Sequence, residues 1–337
     1  MLKTGRRAGF VATTLFAVGA VLAFTAAPAL ALQPGEDAAW AAEIENDTPL
    51  RSADTISEAR DLNNGNLMQV WRGYGNTNIY IAINHSVPLQ LPSTTTYAAP
   101  RIVWTNAGFF VFHTGSDGYI YYRRIPVPAN ADNVRGNWTR VPNNARTEDT
   151  LSPSVTRLNG NQMYLTWGDA VGLNQWGMYF DGTTWAAPQT LPYAQSYTAN
   201  SVTFNPNWNQ LVSIHRGTDG QIYWQRQTYG SSQWTNPARL GTLNTPAAGT
   251  PAVALTDNGS GEVAVWLSGG AVDPQTGSSP ILLTQIFANG AWSGAWSVAT
   301  GNVPTSHNVW LTAIQNRIYL INTFYTGYVY WKRSFQQ

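Results

Sequence analysis

Short apolar runs separated by turn residues recur along most of the chain. Pro100–His113 reads PRIVWTNAGFFVFH, two apolar runs around an Asn-Ala-Gly turn. Pro153–Trp167, Asn200–His215, Pro251–Trp266 and Asn308–Ile321 have the same form. Runs of this length around Asn or Gly predict β-hairpins. A third strand follows. Thr114–Arg124 (TGSDGYIYYRR) overlays Arg216–Arg226 (RGTDGQIYWQR), and Gly327–Arg333 (GYVYWKR) fits the same frame. Arg72–Tyr80 (RGYGNTNIY) is the first copy, with Asn76 in place of Asp117 and Asp219. A tryptophan with a proline or apolar residue soon after it then supplies a fourth strand, as at Trp138, Trp185, Trp234 and Trp296.

Counting these units gives six, centred near Trp71, Phe112, Trp167, Ile214, Trp266 and Ile321. The expected fold class is all-β, a six-bladed β-propeller of four-stranded antiparallel blades. One blade cannot bury both faces of its sheet, but blades in a ring cover each other. The 15 tryptophans suit the wedge between blades. The sixth unit ends at Gln337 without its Trp-bearing strand. Trp40-Ala-Ala-Glu-Ile-Glu resembles the fourth strand that begins at Trp185, so residues near 38–46 are expected to close the last blade.

The N-terminus reads as an export signal. Lys3, Arg6 and Arg7 precede an apolar stretch from Ala8 to Phe24, and Ala29-Leu30-Ala31 has the form of a signal peptidase site. The expected organisation is a signal peptide at 1–31, an N-terminal segment at 32–54 and the propeller at 55–337. The style of the leader points to a Gram-positive bacterium and to a secreted, extracellular chain. Cleavage removes three basic residues, leaving 16 against 18 acidic ones. No basic run remains, which argues against nucleic acid and anionic lipid as partners. No membrane association is expected after cleavage. Zero cysteine excludes disulfides, thiolate metal sites and a cysteine nucleophile. Charged residues make up only 11% of the chain, and Asn, Gln, Ser, Thr and Gly fill the gap.

The Gly-x-Asp-Gly-x-Ile-Tyr-Trp run, followed by Trp-x-x-Pro, resembles the repeats of secreted propeller lectins. These include six-bladed fucose-binding lectins and related bacterial propeller lectins. Phe180–Trp185 (FDGTTW) is similar to a degenerate sialidase Asp-box, with Asp181 and Gly182 adjacent where that motif separates them. The resemblance implies a propeller that binds glycans or cell-surface polysaccharide.

Sugar recognition combines aromatic faces with planar polar side chains. The recurrent positions that fit are His113, Asp117, Tyr122 and Arg124, then His215, Asp219, Trp224 and Arg226, then Trp331 and Arg333. For the His and Asp positions a structural role stands beside the functional one, since Asp-Gly suits a hairpin turn. Tyr121, Tyr223 and Tyr330 recur identically and read as blade packing. His85 and His307 lie outside the register, so no metal triad and no cofactor is expected. Asp257–Glu262 lacks the alternating ligands of a calcium loop. Two alternatives remain open. One is a protein-interaction subunit, partnered by another secreted protein. The other is a glycoside hydrolase on a sialidase-like propeller, which needs two carboxylates across a pocket. Its candidates are Glu58, Asp61, Glu148, Asp149 and Asp169, with Arg60, Arg101 and Arg157 as candidate arginines.

Overall fold

The computed structural model describes residues 51–127, 134 and 136–241. Beyond these it describes strand segments at 44–45, 247–255, 262–268, 282–288, 291–292, 297–298, 310–314, 317–323 and 329–333. The leader at 1–31, the remainder of 32–50 and the Asp257–Glu262 turn lie outside the described residues, apart from the backbone of 44–45 and of Glu262. No helix among the described residues is long and apolar enough to cross a membrane.

The described strands form six antiparallel sheets. The first sheet runs Ser57–Arg60, Leu67–Arg72, Ile79–Ile83 and Leu89–Gln90. The second runs Arg101–Thr105, Gly108–Thr114, Ile120–Ile125 and Thr139–Arg140. Ser154–Arg157, Met163–Gly168, Asn174–Phe180 and Gln189–Gln195 make the third. Ser201–Asn205, Gln210–Arg216, Ile222–Thr228 and Ala238–Arg239 make the fourth. In the fifth, Ala247–Leu255, Glu262–Ser268 and Leu282–Ala288 are followed by two short strands, Ala291–Trp292 and Ser297–Val298, that share the edge of Leu282–Ala288. The sixth holds Trp310–Ile314, Arg317–Thr323 and Val329–Arg333. Its outermost strand is Ile44–Glu45, with Ile44 opposite Trp331 and Glu45 opposite Tyr330. This is an all-β propeller of four-stranded antiparallel blades.

The sheets are covered on both faces, so their strands read as apolar runs and not as a simple alternation. The second sheet shows how. Ile102, Trp104, Phe109 and Val111 pack with Met68, Val70, Ile79 and Ile81 of the first sheet. The alternate residues Val103, Phe110 and Phe112 pack with Val155, Leu165 and Trp167 of the third. Successive side chains on a strand point to opposite faces, so one strand feeds two inter-sheet cores. The first strand of each sheet touches the first strand of the next, and Ser57–Arg60 also touches Trp310–Ile314.

A hydroxyl ties these inner strands together. Ser57 Oγ accepts from the Ile102 N–H at 3.1 Å, Ser154 Oγ from Val202 at 3.1 Å and Ser201 Oγ from Val253 at 3.2 Å. In each case a serine of one sheet satisfies an amide of the following one. These bonds fix the register between sheets. They make Ser57, Arg101, Ser154, Ser201, Ala252 and Trp310 equivalent. The second-strand residues directly opposite these are Val70, Phe112, Thr166, Ile214, Val265 and Ile321. The unit centres expected near Phe112, Ile214 and Ile321 fall on this register, and those near Trp71, Trp167 and Trp266 lie one residue beyond it. The apolar run alone does not show which of two adjacent large residues faces which neighbour.

A cavity of about 220 Å³ lies among all six first strands. Its lining is mostly aliphatic, with Arg60, Trp104 and Arg157 among the larger residues. Toward the start of these strands, the Arg101 guanidinium lies 4.4 Å from the centroid of the Trp310 ring and donates to Thr55 Oγ1 at 3.1 Å. Arg101 is buried, and burial lowers its pKa to about 10. Arg157 packs in the same way on Trp104, at 4.3 Å.

Glu58 is the exception on the inner strands. Its equivalents are Ile102, Val155, Val202, Val253 and Leu311, all aliphatic. Its carboxyl oxygens are buried and have no hydrogen-bond partner. Burial pushes its pKa up to about 8, opposed in smaller measure by Gln69 directly across the strand pair. The folded state then holds a proton that the unfolded chain releases near pH 4.5. Stability is therefore highest below pH 4.5 as far as this group is concerned, and falls as pH rises to about 8. The limiting slope is about 1.4 kcal/mol per pH unit. Urea unfolding across this range should show that decline in the wild type and a flatter profile in Glu58→Gln, with the variant more stable at pH 8.

Candidate functional site

The recurrent His and Asp residues close hairpins. Asp117 Oδ1 accepts from the Tyr119 N–H at 3.1 Å and Oδ2 from the Tyr121 hydroxyl at 2.8 Å. Asp219 repeats this with the Gln221 N–H at 3.0 Å and the Tyr223 hydroxyl at 2.9 Å. The preceding glycine is needed. A Cβ at Gly115 would lie 2.7 Å from Asp117 Oδ1 and 2.9 Å from the Tyr121 ring, and Gly217 is equally crowded. In the first sheet Gly73 is crowded in the same way by Asn76 and Tyr80, and Asn76 Oδ1 accepts from the Asn78 N–H at 2.9 Å.

His113 and His215 are buried and stack on Tyr121 and Tyr223, with ring centroids 5.5 and 5.8 Å apart. His113 Nε2 bonds Thr94 Oγ1 at 2.9 Å, which joins the second sheet to the segment that leads into it. The four-residue spacing thus gives two clasps, with the Asp carboxylates on tyrosine hydroxyls and the histidines inside. Burial lowers both histidine pKa values to about 4, opposed by Asp117 and Asp219 respectively.

Tyr122 and Trp224 are half-buried wedges between sheets. Tyr122 packs on Phe112 and Trp185 at 5.8 and 5.7 Å, and Trp224 meets Trp292 at 5.9 Å. Arg124 and Arg226 are exposed at the far end of their strands. Arg124 Nε donates to the Ala107 carbonyl at 2.6 Å, and Arg226 lies 5.6 Å from the Trp224 ring. Trp331 and Arg333 sit in the last strand, opposite Ile321 and Tyr319, and their side chains lie outside the described residues. Among the described residues, the structure does not gather the other eight positions into one pocket.

The stretches that lead from one sheet to the next, one of which begins within the Gln189–Gln195 strand, form a second repeat. After Leu91 and Leu191 come Pro92 and Pro192, then Ser93 and Tyr193 in the left-handed region, at φ 57° and 56°. Thr96 and Ser196 next donate their N–H to the Thr77 and Leu173 carbonyls, both at 2.9 Å. Their hydroxyls cap the following turn, on Ala98 and Thr198. Tyr97 and Tyr197 follow each cap and are 47% and 61% exposed. Val141-Pro142-Asn143 is the matching segment between the second and third sheets. There Thr147 donates to the Gly118 carbonyl at 2.9 Å.

This middle segment borders two adjoining cavities. One, of about 230 Å³, is lined by Asn143, Asn144, Arg146, Asp169, Trp167 and Trp176 among others. The other, of about 370 Å³, is lined by Asp117, Arg146, Thr147, Glu148, Asp149 and their neighbours. Arg146 and Ala170 belong to both. Three of the five carboxylates singled out in the sequence as enzymatic candidates, Glu148, Asp149 and Asp169, thus meet here with an arginine and two indoles. Trp167 is buried and Trp176, directly across the strand pair, is half-buried. Asn143 and Asn144 both have positive φ, at 60° and 56°. Such backbone suits Asn among non-glycine residues.

A further cleft of about 320 Å³ lies between the third and fourth sheets, near Tyr179, Asp181 and Tyr229. Several of its polar groups are engaged internally, while Gln189 Oε1 is buried without a partner. Tyr179 donates to Gln227 and Tyr229 to Gln162, at 3.0 and 2.7 Å. Asp181 accepts from the Thr183 and Thr184 amides and the Thr184 hydroxyl, which closes the Asp-box-like FDGTTW turn. Glu58 is the only carboxylate among the described residues lining the central cavity. Asp61 accepts from the Asn63 and Asn64 amides at a turn.

No protein-family model and no curated protein matches the sequence. Solved structures do match in shape. The chain shares its fold with propeller lectins. The six-bladed Aleuria aurantia lectin aligns with a TM-score of 0.58 at 10% identity, over 85% of this chain and 93% of that one. The lectin BP39L from Burkholderia pseudomallei aligns with a TM-score of 0.58 at 12% identity, over 85% and 86%. An α-L-arabinanase from Penicillium chrysogenum, complexed with arabinobiose, aligns with a TM-score of 0.56 at 14% identity, over 88% and 99%. At these identities the likeness is one of fold, and it spans binding proteins and an enzyme alike.

Both buried histidines hold fewer protons folded than unfolded between pH 6.5 and about 4. Their contribution to stability is present above pH 6.5 and is lost as pH falls through that window. A His113→Asn, His215→Asn double variant should show a flatter dependence of melting temperature on pH from 6.5 to 4, whatever its absolute stability.

Proposed function

We propose that this protein is a secreted, six-bladed carbohydrate-binding propeller that engages glycans or cell-surface polysaccharide at several places. The observation that carries this reading is the rim between sheets. There Trp176, Arg146, Asp169 and Asn144 converge on one cleft, while Tyr97 and Tyr197 stand exposed at matching positions on either side. An indole or phenol ring packs against the C–H face of a pyranose. A guanidinium, a carboxylate and an amide satisfy its hydroxyls.

The six-blade count rests on the six sheets, on the contact between the first and last inner strands, and on the Ile44–Glu45 strand at the edge of the sixth. Secretion rests on the basic start, apolar stretch and Ala29-Leu30-Ala31 ending of the leader. Similar weak sites around one rim raise avidity on a repeating polymer without new contacts. The fold likeness to lectins is consistent with this, and Glu58 as the single carboxylate among the described residues lining the central cavity weighs against two-carboxylate hydrolysis there.

A glycan array on the chain from residue 32, followed by calorimetry on the best ligand, tests the reading. Single-site affinities between about 1 mM and 1 μM are expected. Trp176→Ala should weaken binding at least about tenfold, and Tyr197→Ala should lower avidity on a polymer more than affinity for a monosaccharide. Both variants should be checked for native circular dichroism. Absence of binding to any glycan would remove the proposal.

A further inference from the structure

The segment between the second and third sheets is longer than its two counterparts, by one residue before Thr147 and by two after it. From Thr96 to Arg101, and from Ser196 to Ser201, the chain takes five steps to reach the inner strand. From Thr147 to the equivalent Ser154 it takes seven. The additional length carries Glu148 and Asp149. Thr147 makes the same backbone bond as Thr96 and Ser196, but the cap that follows is missing. Its hydroxyl is buried, the residue is 1% exposed, and Oγ1 has no partner. The lengthened segment instead walls the cavity of about 370 Å³, with Thr147 among its lining.

The electrostatics of this cavity are one-sided. Among the described residues lining it, Asp117, Glu148 and Asp149 face Arg146, and Arg140 stands beside it on the Tyr119 ring at 3.4 Å. Asp117 stays close because the clasp with Tyr121 fixes it. Arg146 lies 5.5 Å from the Tyr119 ring and leads into the indole-lined cleft next door. At the matching positions the other two segments present Tyr97 and Tyr197, and this one presents Glu148. The chain is otherwise poor in charge, at 11%, so three carboxylates around one hollow are a local departure.

We infer that this cavity binds a pyranose bearing a protonated amino group, presented by a polysaccharide with free amines. The ammonium would sit among the carboxylates of Asp117, Glu148 and Asp149. The Thr147 hydroxyl would receive a bond it lacks in the protein, and the next residue of the polymer would lie toward Trp176. This rests on the glycan-binding reading and names the chemistry of one of its sites.

Calorimetry on the full mature chain with a glucosamine tetramer and its fully N-acetylated counterpart separates the two. Acetylation removes the charge and keeps the ring. The amino tetramer should bind at least about tenfold tighter at low salt, with the difference shrinking at higher ionic strength. Glu148→Gln with Asp149→Asn should bring the two tetramers to within about threefold, with an unchanged melting profile. Equal binding of both tetramers by the wild type overturns the inference and leaves the glycan reading standing. So does retention of the preference in the double variant. A lysine tetrapeptide that competes as well as the amino tetramer overturns it as well, since charge alone would then explain capture. Failure to bind either tetramer or any sugar on the array removes both readings together.

Discussion

A small sheet with two apolar faces cannot stand alone in water. Everything else in this molecule follows from the need to cover both faces of each sheet. Ile102 and Trp104 look one way along their strand and Val103 the other, so the second sheet contributes to two cores at once. The serine hydroxyls at Ser57, Ser154 and Ser201 serve the same need where the strands are closest. They satisfy amides that would otherwise be buried unpaired, at a cost of roughly 1–3 kcal/mol each. The aromatic excess has the same origin. Tyr122, Trp185, Trp224 and Trp292 fill the widening gap between neighbouring sheets.

The repeat grammar made most of this architecture legible. Hairpins around Asn and Gly, the Asp-Gly-x-Ile-Tyr run and the tryptophan after it each mark a strand. What failed was register by one residue, because in Val70-Trp71 and Thr166-Trp167 the larger residue of the pair lies one step beyond the register position. His113 and Asp117 looked like a site because they recur together. They recur because a glycine, an acid and a tyrosine lock a hairpin, a geometric demand as strict as any ligand's. The stretches that lead from one sheet to the next carried a second signal that was readable. Leu-Pro, then Ser or Thr followed by Tyr, occurs at Leu91–Tyr97 and Leu191–Tyr197. It is spread over seven residues with no apolar periodicity, so strand patterns pass over it. The meeting of Glu148, Asp149 and Asp169 with Arg146 and Trp176 depends on how two sheets sit side by side. No spacing within one segment encodes that.

Position on the scaffold sets what each part can tolerate. On the inner strands every residue touches two neighbours, and a polar substitute such as Glu58 stays neutral because nothing there solvates a charge. On the rim, added length costs little, since loop entropy rises only with the logarithm of length. The Glu148-Asp149 stretch lengthens the chain there without disturbing the strands on either side, and the Ser154 latch to Val202 is intact. Chemistry can therefore vary from one segment to the next while the cores remain alike.

The Arg101–Trp310 contact has a consequence for cohesion. A flat guanidinium on an indole, tethered to Thr55, joins the second sheet to the sixth and to the segment that leads into the first. One buried side chain thus holds three parts of the chain that are far apart in sequence, and a residue lacking either its planar face or its donors would loosen all three together.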